Sequence, residues 1–273
     1  MSKSFKYPNT PISFQGCPQD LTGLLNLGYH TRETTQRYVY GTRGITWDGK
    51  VFRYCLAESA VYAGYGAFNG ANATIARLIN SVTPAAYVAG QRDIKITIAA
   101  TEGQAGDGVI AEDELAGARI VLGHGGEALT ESRTVVGNDA VASNGGTTIL
   151  TLDYPLALAH DAGVACELPL NPYRYLHRAS TSYASVMCVP NLYTAAAYNF
   201  WGQTKGMCWC VPGGSDASPG DTAGDRMAYF VGDGSVNFAY GLAIETGYQL
   251  AGYCVDTTAS GSSAMPTIML MLE

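Results

Sequence analysis

Charge is scarce in this chain. Asp, Glu, Lys and Arg make up 14% of its 273 residues, against roughly 25% in ordinary soluble domains. Such a sparse supply implies that much of the surface is covered by partners rather than by water. Long apolar runs are also missing. None approaches the roughly 20 residues that a bilayer-spanning helix requires, and those present are short and broken by glycine, as strands are. No membrane partner is expected. Met1 to Gln15 holds Lys, Asn, Gln and two prolines and lacks the apolar segment of an export signal, so synthesis in the cytoplasm is the expectation. No internal repeat, no heptad and no periodic helix beyond three turns is visible.

Catalytic and ligand-binding signatures are equally thin. There is no GxSxG elbow. The four histidines (His30, His124, His160, His177) are scattered and single, with no HxH or HExxH spacing. His160-Asp161 falls in an expected loop, where a solvated imidazole is the ordinary case. Gly64-Tyr65-Gly66 followed by Gly70 resembles a nucleotide loop, yet lacks the strand–turn–helix context and the later Lys. Asp216, Asp221, Asp225 and Asp233 are carboxylates of the kind used in glycoside hydrolysis and calcium sites. Their Ser, Gly and Pro surroundings read instead as solvated turns, without EF-hand spacing. Asn72-Ala73-Thr74 is a formal glycosylation acceptor that means nothing without export. No catalytic, cofactor-binding or metal-binding residue is therefore assigned, no cofactor is expected, and the chain is not expected to be an enzyme.

Seven cysteines (Cys17, Cys55, Cys166, Cys188, Cys208, Cys210, Cys254) form an odd set, and without export they begin as thiols. Cys208-Trp209-Cys210 is the closest approach to a metal motif, because alternate strand residues share a face. A structural zinc needs four ligands, and no second pair lies at finger-like spacing. Core packing is the first reading for Cys208 and Cys210, with a disulfide, a thiol pair or a metal as the alternative.

What the chain does have is strand chemistry. Gly (33) and Tyr (18) are abundant, and with many Thr and Val they favour strands and tight turns. In Gly41 to Ala57, Asp48-Gly49 lies between β-branched and aromatic runs and predicts a hairpin closed by a type I′ turn. Asp93–Ala99 alternates polar and apolar residues, as do Arg119–Leu122, Arg133–Val136, Thr148–Leu152 and Val164–Leu168. Beyond Pro172, Tyr198–Thr204 and Met207–Val211 read as two strands joined around Lys205-Gly206. Ala228–Val231, Gly241–Thr246, Gly252–Val255 and a buried Thr267–Leu272 complete the pattern. Thr74–Asn80 and Glu112–Leu115 are read as short helical turns. Trp47, Trp201 and Trp209 fall in expected strands, which favours core or subunit-interface packing over a sugar-stacking platform. The fold class is mainly β: antiparallel β-sandwich or barrel domains with an extended N-terminal arm and little helix.

Three regions are expected: an arm over 1–36, a first β-rich domain over 37–172 and a second over 173–273 that can share strands with the first. Through Cys55 there are seven basic residues against three acidic ones, a net of +4 in a chain whose total is −7. A basic opening on an acidic body suits docking of the arm onto an acidic surface. Lys3, Phe5, Lys6, Tyr7 and Phe14 are the candidate docking residues. The acidic body disfavours nucleic acid.

Gly41-Thr-Arg-Gly-Ile-Thr-Trp-Asp-Gly-Lys-Val-Phe-Arg-Tyr-Cys-Leu-Ala57 resembles the "GT … DGR-VFRY … A" opening of a family of tailed-bacteriophage head proteins. Leu168-Pro-Leu-Asn-Pro-Tyr173 is similar to that family's "NPY" turn, Asn199-Phe-Trp-Gly-Gln-Thr-Lys-Gly206 to its "YFW-QT-G" strand, and Gly241-Leu-Ala-Ile-Glu-Thr-Gly247 to its closing "G-A-ETG". These short marks run in order from Gly41 to Glu273; the arm has no counterpart. The resemblance implies a structural virion protein: a trimeric capsid decoration or cement protein on the outside of the head, made in the host bacterium's cytoplasm. Its partners would be the major capsid protein and copies of itself. No catalytic residue carries over. A tail- or fibre-associated module that binds a host glycan through Trp and Tyr faces is the rival expectation.

Overall fold

The computed structural model describes residues 31–46, 48–69, 78–83, 85–103, 106–123, 130–178, 184–213, 226–238, 249–256 and 266–273. The protein is all-β; no helix occurs among the described residues. It divides into two compact units. One comprises Met1–Gly70 with Tyr173–Glu273, and the other is the intervening Ala71–Pro172.

The discontinuous unit opens with β1 (Arg32–Glu33), β2 (Arg43–Ile45), β3 (Val51–Leu56) and β4 (Ala67–Phe68). β2 and β3 form the expected hairpin, with Arg43 opposite Arg53 and Ile45 opposite Val51. Its turn differs from the expected one. The Thr46 amide bonds the Lys50 carbonyl at 2.9 Å and the Gly49 amide bonds the Thr46 carbonyl at 3.0 Å. Gly49 alone takes positive φ, 81°, while Asp48 does not. This is a three-residue loop with a bulge glycine rather than a two-residue type I′ turn. The Thr46 hydroxyl selects it, accepting the Lys50 amide at 3.0 Å and donating to Asp48.

The inserted unit holds β5 (Leu78–Val82), β6 (Asp93–Ile98), β7 (Arg119–Leu122), β8 (Glu131–Asn138), β9 (Gly146–Leu152) and β10 (Ala165–Pro169). They form one antiparallel sheet in the order β5-β10-β7-β8-β9-β6. Alternation does what it predicts here. In β6, Ile94, Ile96 and Ile98 are buried while Asp93, Lys95 and Thr97 face outward. Ile120, Leu122, Leu150, Leu152, Cys166 and Leu168 complete an almost wholly aliphatic core. Leu78–Val82 is a strand, not part of a helical turn, because all five residues pair with β10; residues 74–77 lie outside the described ones. Glu112–Leu115 belongs to a run of tight turns, organised by Asn138, whose amide oxygen accepts the Leu115 N–H at 2.7 Å.

The chain then returns to the first unit as β11 (Val186–Pro190), β12 (Asn199–Trp209), β13 (Met227–Phe230), β14 (Val236–Phe238), β15 (Gln249–Asp256) and β16 (Thr267–Met271). The sheet runs β14-β13-β15-β16-β12-β11-β4, and β3 and β1 also pair with β12. The expected hairpin around Lys205-Gly206 is one continuous strand. Pairing with β3 shifts register between Gln203 and Lys205, and Gly206 absorbs the kink at φ 95°. A bulge bends the strand where a turn was expected. β16 buries Ile268 and Leu270 but leaves Met271 half exposed, so it is not buried on both faces.

The domain expectation is corrected in one respect. The boundary before Tyr173 coincides with a unit edge, but 37–172 is not one body. β3 pairs from Val51 to Leu56 with β12, which places residues 37–70 in the same unit as 173–273.

Candidate interaction surface

Two bridges build an exposed aromatic patch. Val61 pairs with Thr194, and Phe68 with His177. The first brings the Tyr62–Tyr65 turn beside Tyr193; the second delivers Arg178. The Tyr62 ring lies 5.2 Å from that of Tyr193 and 6.3 Å from that of Tyr65, both edge-to-face. The Arg178 guanidinium sits 4.5 Å from the Tyr62 centroid and 5.0 Å from that of Tyr65. Arg32 lies 5.8 Å from the Tyr193 ring and 5.9 Å from that of Tyr198, and donates to the Tyr193 carbonyl at 2.8 Å. Tyr62 is 38% exposed and Tyr193 46%. Each contact contributes about 0.5–1 kcal/mol at an exposed site, so the rings are held in place before any partner arrives. Tyr and Arg are the residue types over-represented at binding hot spots.

This patch marks where the N-terminal segment meets the body. Arg32 and Glu33 pair with Phe200 and Asn199. Asn199 donates to the Glu33 carbonyl at 3.1 Å and accepts the Tyr40 hydroxyl at 2.8 Å. The Glu33 carboxylate accepts the Tyr54 hydroxyl at 3.1 Å and pairs with Arg37. Tyr54 packs against Tyr38, Tyr40 and Trp201 with centroids 5.2, 5.9 and 5.3 Å away. Burial pushes the Tyr40 hydroxyl up to about 12, with Arg174 acting against it, and pushes Tyr54 up as well. The expected arm over 1–36 is therefore too long: residues 31–36 belong to the body. Lys3, Phe5, Lys6, Tyr7 and Phe14 lie outside the described residues, as do Cys17, His30, Trp47, Asn72, His124, Asp216, Asp221, Asp225 and Gly241–Gly247.

The described thiols are all buried, as the core-packing reading expects. Cys208 and Cys210 do share the inner face, both buried, with Trp209 between them facing outward. Neither is in a disulfide, nor are Cys55, Cys166, Cys188 and Cys254. The sulfurs of Cys55 and Cys188 lie 3.8 Å apart. They meet over Gly202, where a Cβ would stand 2.2 Å from the Cys188 sulfur. No sequence spacing links residues 55 and 188. Burial, and then Cys55 itself, pushes the Cys188 thiol well up. A hydrogen bond with Cys208, then burial, does the same for Cys210. A thiol held protonated is a packing group rather than a nucleophile or ligand. Among the described residues, no three His, Cys, Asp or Glu side chains are grouped to hold a metal.

Other candidates resolve into structural roles. His160 is buried, not solvated, with its Nε2 2.9 Å from Glu131. Glu131 also pairs with Arg133 at 2.7 Å and accepts the Ala157 amide at 3.0 Å. His177 pairs with Glu58 at 2.6 Å. Asp233 closes its own turn through the Ser235 amide at 2.9 Å. The amides of Gly64 and Gly66 are committed to the Pro190 and Gly234 carbonyls at 3.0 and 2.6 Å, so that loop offers no phosphate cradle. Compared with protein-family models, with curated proteins and with solved structures, the chain finds no match.

Proposed function

We propose that this chain is a structural virion protein, a decoration or cement protein that binds the outer surface of a tailed-phage head and stabilises capsomer contacts. It works without catalysis, as an assembly of its own copies, a trimer by the family resemblance, with the major capsid protein as partner. The observation that carries the reading is the cluster of exposed Arg32, Tyr62 and Tyr193 with half-buried Arg178 where the basic N-terminal segment meets the sheet. A cement protein needs contact area rather than a reactive pocket, and an Arg–Tyr surface beside a basic segment supplies it to an acidic shell.

The test removes residues 1–30 and leaves Thr31 onward, since Arg32 and Glu33 are part of the sheet. Binding to expanded heads should fall sharply while the body stays folded, and Arg32→Ala with Arg178→Ala should weaken binding and its salt dependence further. Undiminished binding by the truncated protein would sink the role of the segment.

The exposed faces of Tyr62 and Tyr193 favour a second reading, a tail-associated module stacking on a host glycan. Glycan arrays and host-cell pull-downs separate the two. The head protein ignores cells; the glycan binder ignores heads and loses affinity in Tyr62→Ala.

A further inference from the structure

A second surface lies on the outer face of the larger sheet. Met227 is in register with Tyr253, Tyr253 with Met269, and Met269 with Met207. Residues directly opposite in antiparallel strands project from one face. The alternate residues of the same strands, Ala228, Cys254, Ile268, Leu270 and Cys208, are core, so this row points away from it. The next rows add Trp209 opposite Thr267 and Met271 opposite Lys205. Met207 and Met271 are 50% exposed, Tyr253 46%, Met227 44% and Trp209 37%. Seven of the thirteen large apolar side chains exposed among the described residues lie on β12, β13, β15 and β16.

Apolar side chains exposed singly need no explanation; a contiguous face does. Side chains of this size, half exposed, offer on the order of 600 Å². A standard interface takes about 800 Å² from each partner, so the face reaches most of that area before any rim is counted. Its composition matches an interface core, where Met, Tyr and Trp are enriched and charge is depleted. Charge enters these rows only at their ends, Lys205 opposite Met271 and Asp256 opposite Thr267.

We infer that this face is covered by a second copy of the chain, sheet against sheet. An uncharged face offers nothing to a charged partner and is complementary to itself. Aligned sheets pack about 10 Å apart with interdigitating side chains, and unbranched Met side chains adjust to each other. Nor do like charges oppose the approach. The unit bearing the face holds eleven basic and eleven acidic residues, whereas Ala71–Pro172 holds five basic and twelve acidic. The inference stands independently of the capsid reading.

The test is the mass of the purified full chain by light scattering and sedimentation over a concentration series. The expected result is a mass of at least twice 28.8 kDa. Met207→Lys combined with Tyr253→Lys should return the protein to monomer, or weaken association by at least about tenfold, with β-type circular dichroism and the thermal transition retained. Val88→Lys with Tyr154→Lys, exposed positions of the other unit, should leave the mass alone. Should the double variant misfold, peroxide footprinting of the unaltered protein decides: Met207, Met227 and Met271 must oxidise more slowly in the assembled protein than in dilute monomer. A wild-type chain that stays monomeric, an assembly that survives both lysines, or equal oxidation in both states would overturn the inference. So would a monomer that associates only after residues 1–30 are removed, since that segment would then be the cover.

Discussion

The inserted unit and the unit that encloses it build β-structure from different materials. Ala71–Pro172 packs an aliphatic core of Ile, Leu and Val, with β7, β8 and β9 following one another as hairpins. The enclosing unit adds to its Val, Ile and Leu a set of Tyr, Trp and Phe rings and five buried thiols, Cys55, Cys188, Cys208, Cys210 and Cys254. Its central pairing, β3 with β12, joins residues on either side of the insertion. The net charge separates the same way: the inserted unit carries all of the acidic excess and the enclosing unit none. The lesson is that a compact insertion with its own core costs the enclosing sheet little. Loop closure entropy rises only with the logarithm of loop length, and a folded insert brings the loop's ends toward each other. All three tryptophans (Trp47, Trp201, Trp209) belong to the enclosing unit, so their fluorescence follows it alone.

The largest expected effect comes from Ile96→Ala, at a site with 0% exposure in the aliphatic core. It should cost about 4 kcal/mol, read as lost hydrogen-exchange protection in 78–172 with an unmoved tryptophan transition. A shift of both would mean that the units unfold together. Gly202→Val is the mirror experiment, driving a side chain into the Cys188 sulfur. About 2–3 kcal/mol of destabilisation should appear in the tryptophan transition and leave the inserted unit protected.

Acid sharpens the comparison further. Burial would raise the carboxyls of Glu131 and Glu273, but hydrogen bonds outweigh it. The Ala157 amide, His160 and the Leu158 amide act on Glu131, and Arg53 and Thr204 on Glu273, so both are held below their ordinary value of 4.5. A carboxylate whose folded pKa is depressed contributes stability above its unfolded pKa and loses it as pH falls through the folded one. Glu131→Gln should flatten the acid limb of the inserted unit only, and Glu273→Gln that of the enclosing unit only. Each should cost about 1.5–2 kcal/mol at neutral pH, measured by urea unfolding from pH 7 to 3. An unchanged acid limb in either variant would show that other carboxylates control it. The smallest effect is expected for Tyr40→Phe, which removes the bond to Asn199; about 1 kcal/mol should be lost from the tryptophan transition alone.

The inserted unit was the more legible of the two. Asp93–Ile98, Arg119–Leu122 and Gly146–Leu152 are half-buried strands, and a one-sided strand writes its burial as alternation. β11 (VMCVP) and β14 (VNF) left no such trace: β11 is buried almost throughout and β14 is three residues long. The Lys205-Gly206 pair carried a turn's composition, yet β3 and β16 both pair at Lys205, and two ladders outweigh a local preference. At the candidate surface, the arm was visible as charge and proline, but its inner end was not, because Glu33 gains its partners from residues 54 and 199. Arg178 and Tyr193 had no motif to reveal them. They meet Tyr62 only through the Val61–Thr194 and Phe68–His177 bridges.

By itself, the sequence determined that this protein is antiparallel β, where most of its strands lie, that a hairpin forms around Gly49, and that its opening segment is basic. Those properties are set by neighbours within a few residues, through alternation, turn stereochemistry and charge. Tertiary structure decided that residues 37–70 join 173–273 around an insertion. It also brought Cys55 against Cys188, buried His160 against Glu131, and gathered the tyrosines and arginines into one exposed patch. Each of these is a contact between residues far apart in the chain. Its energy comes from area and hydrogen bonds that exist only once the strands have chosen their partners.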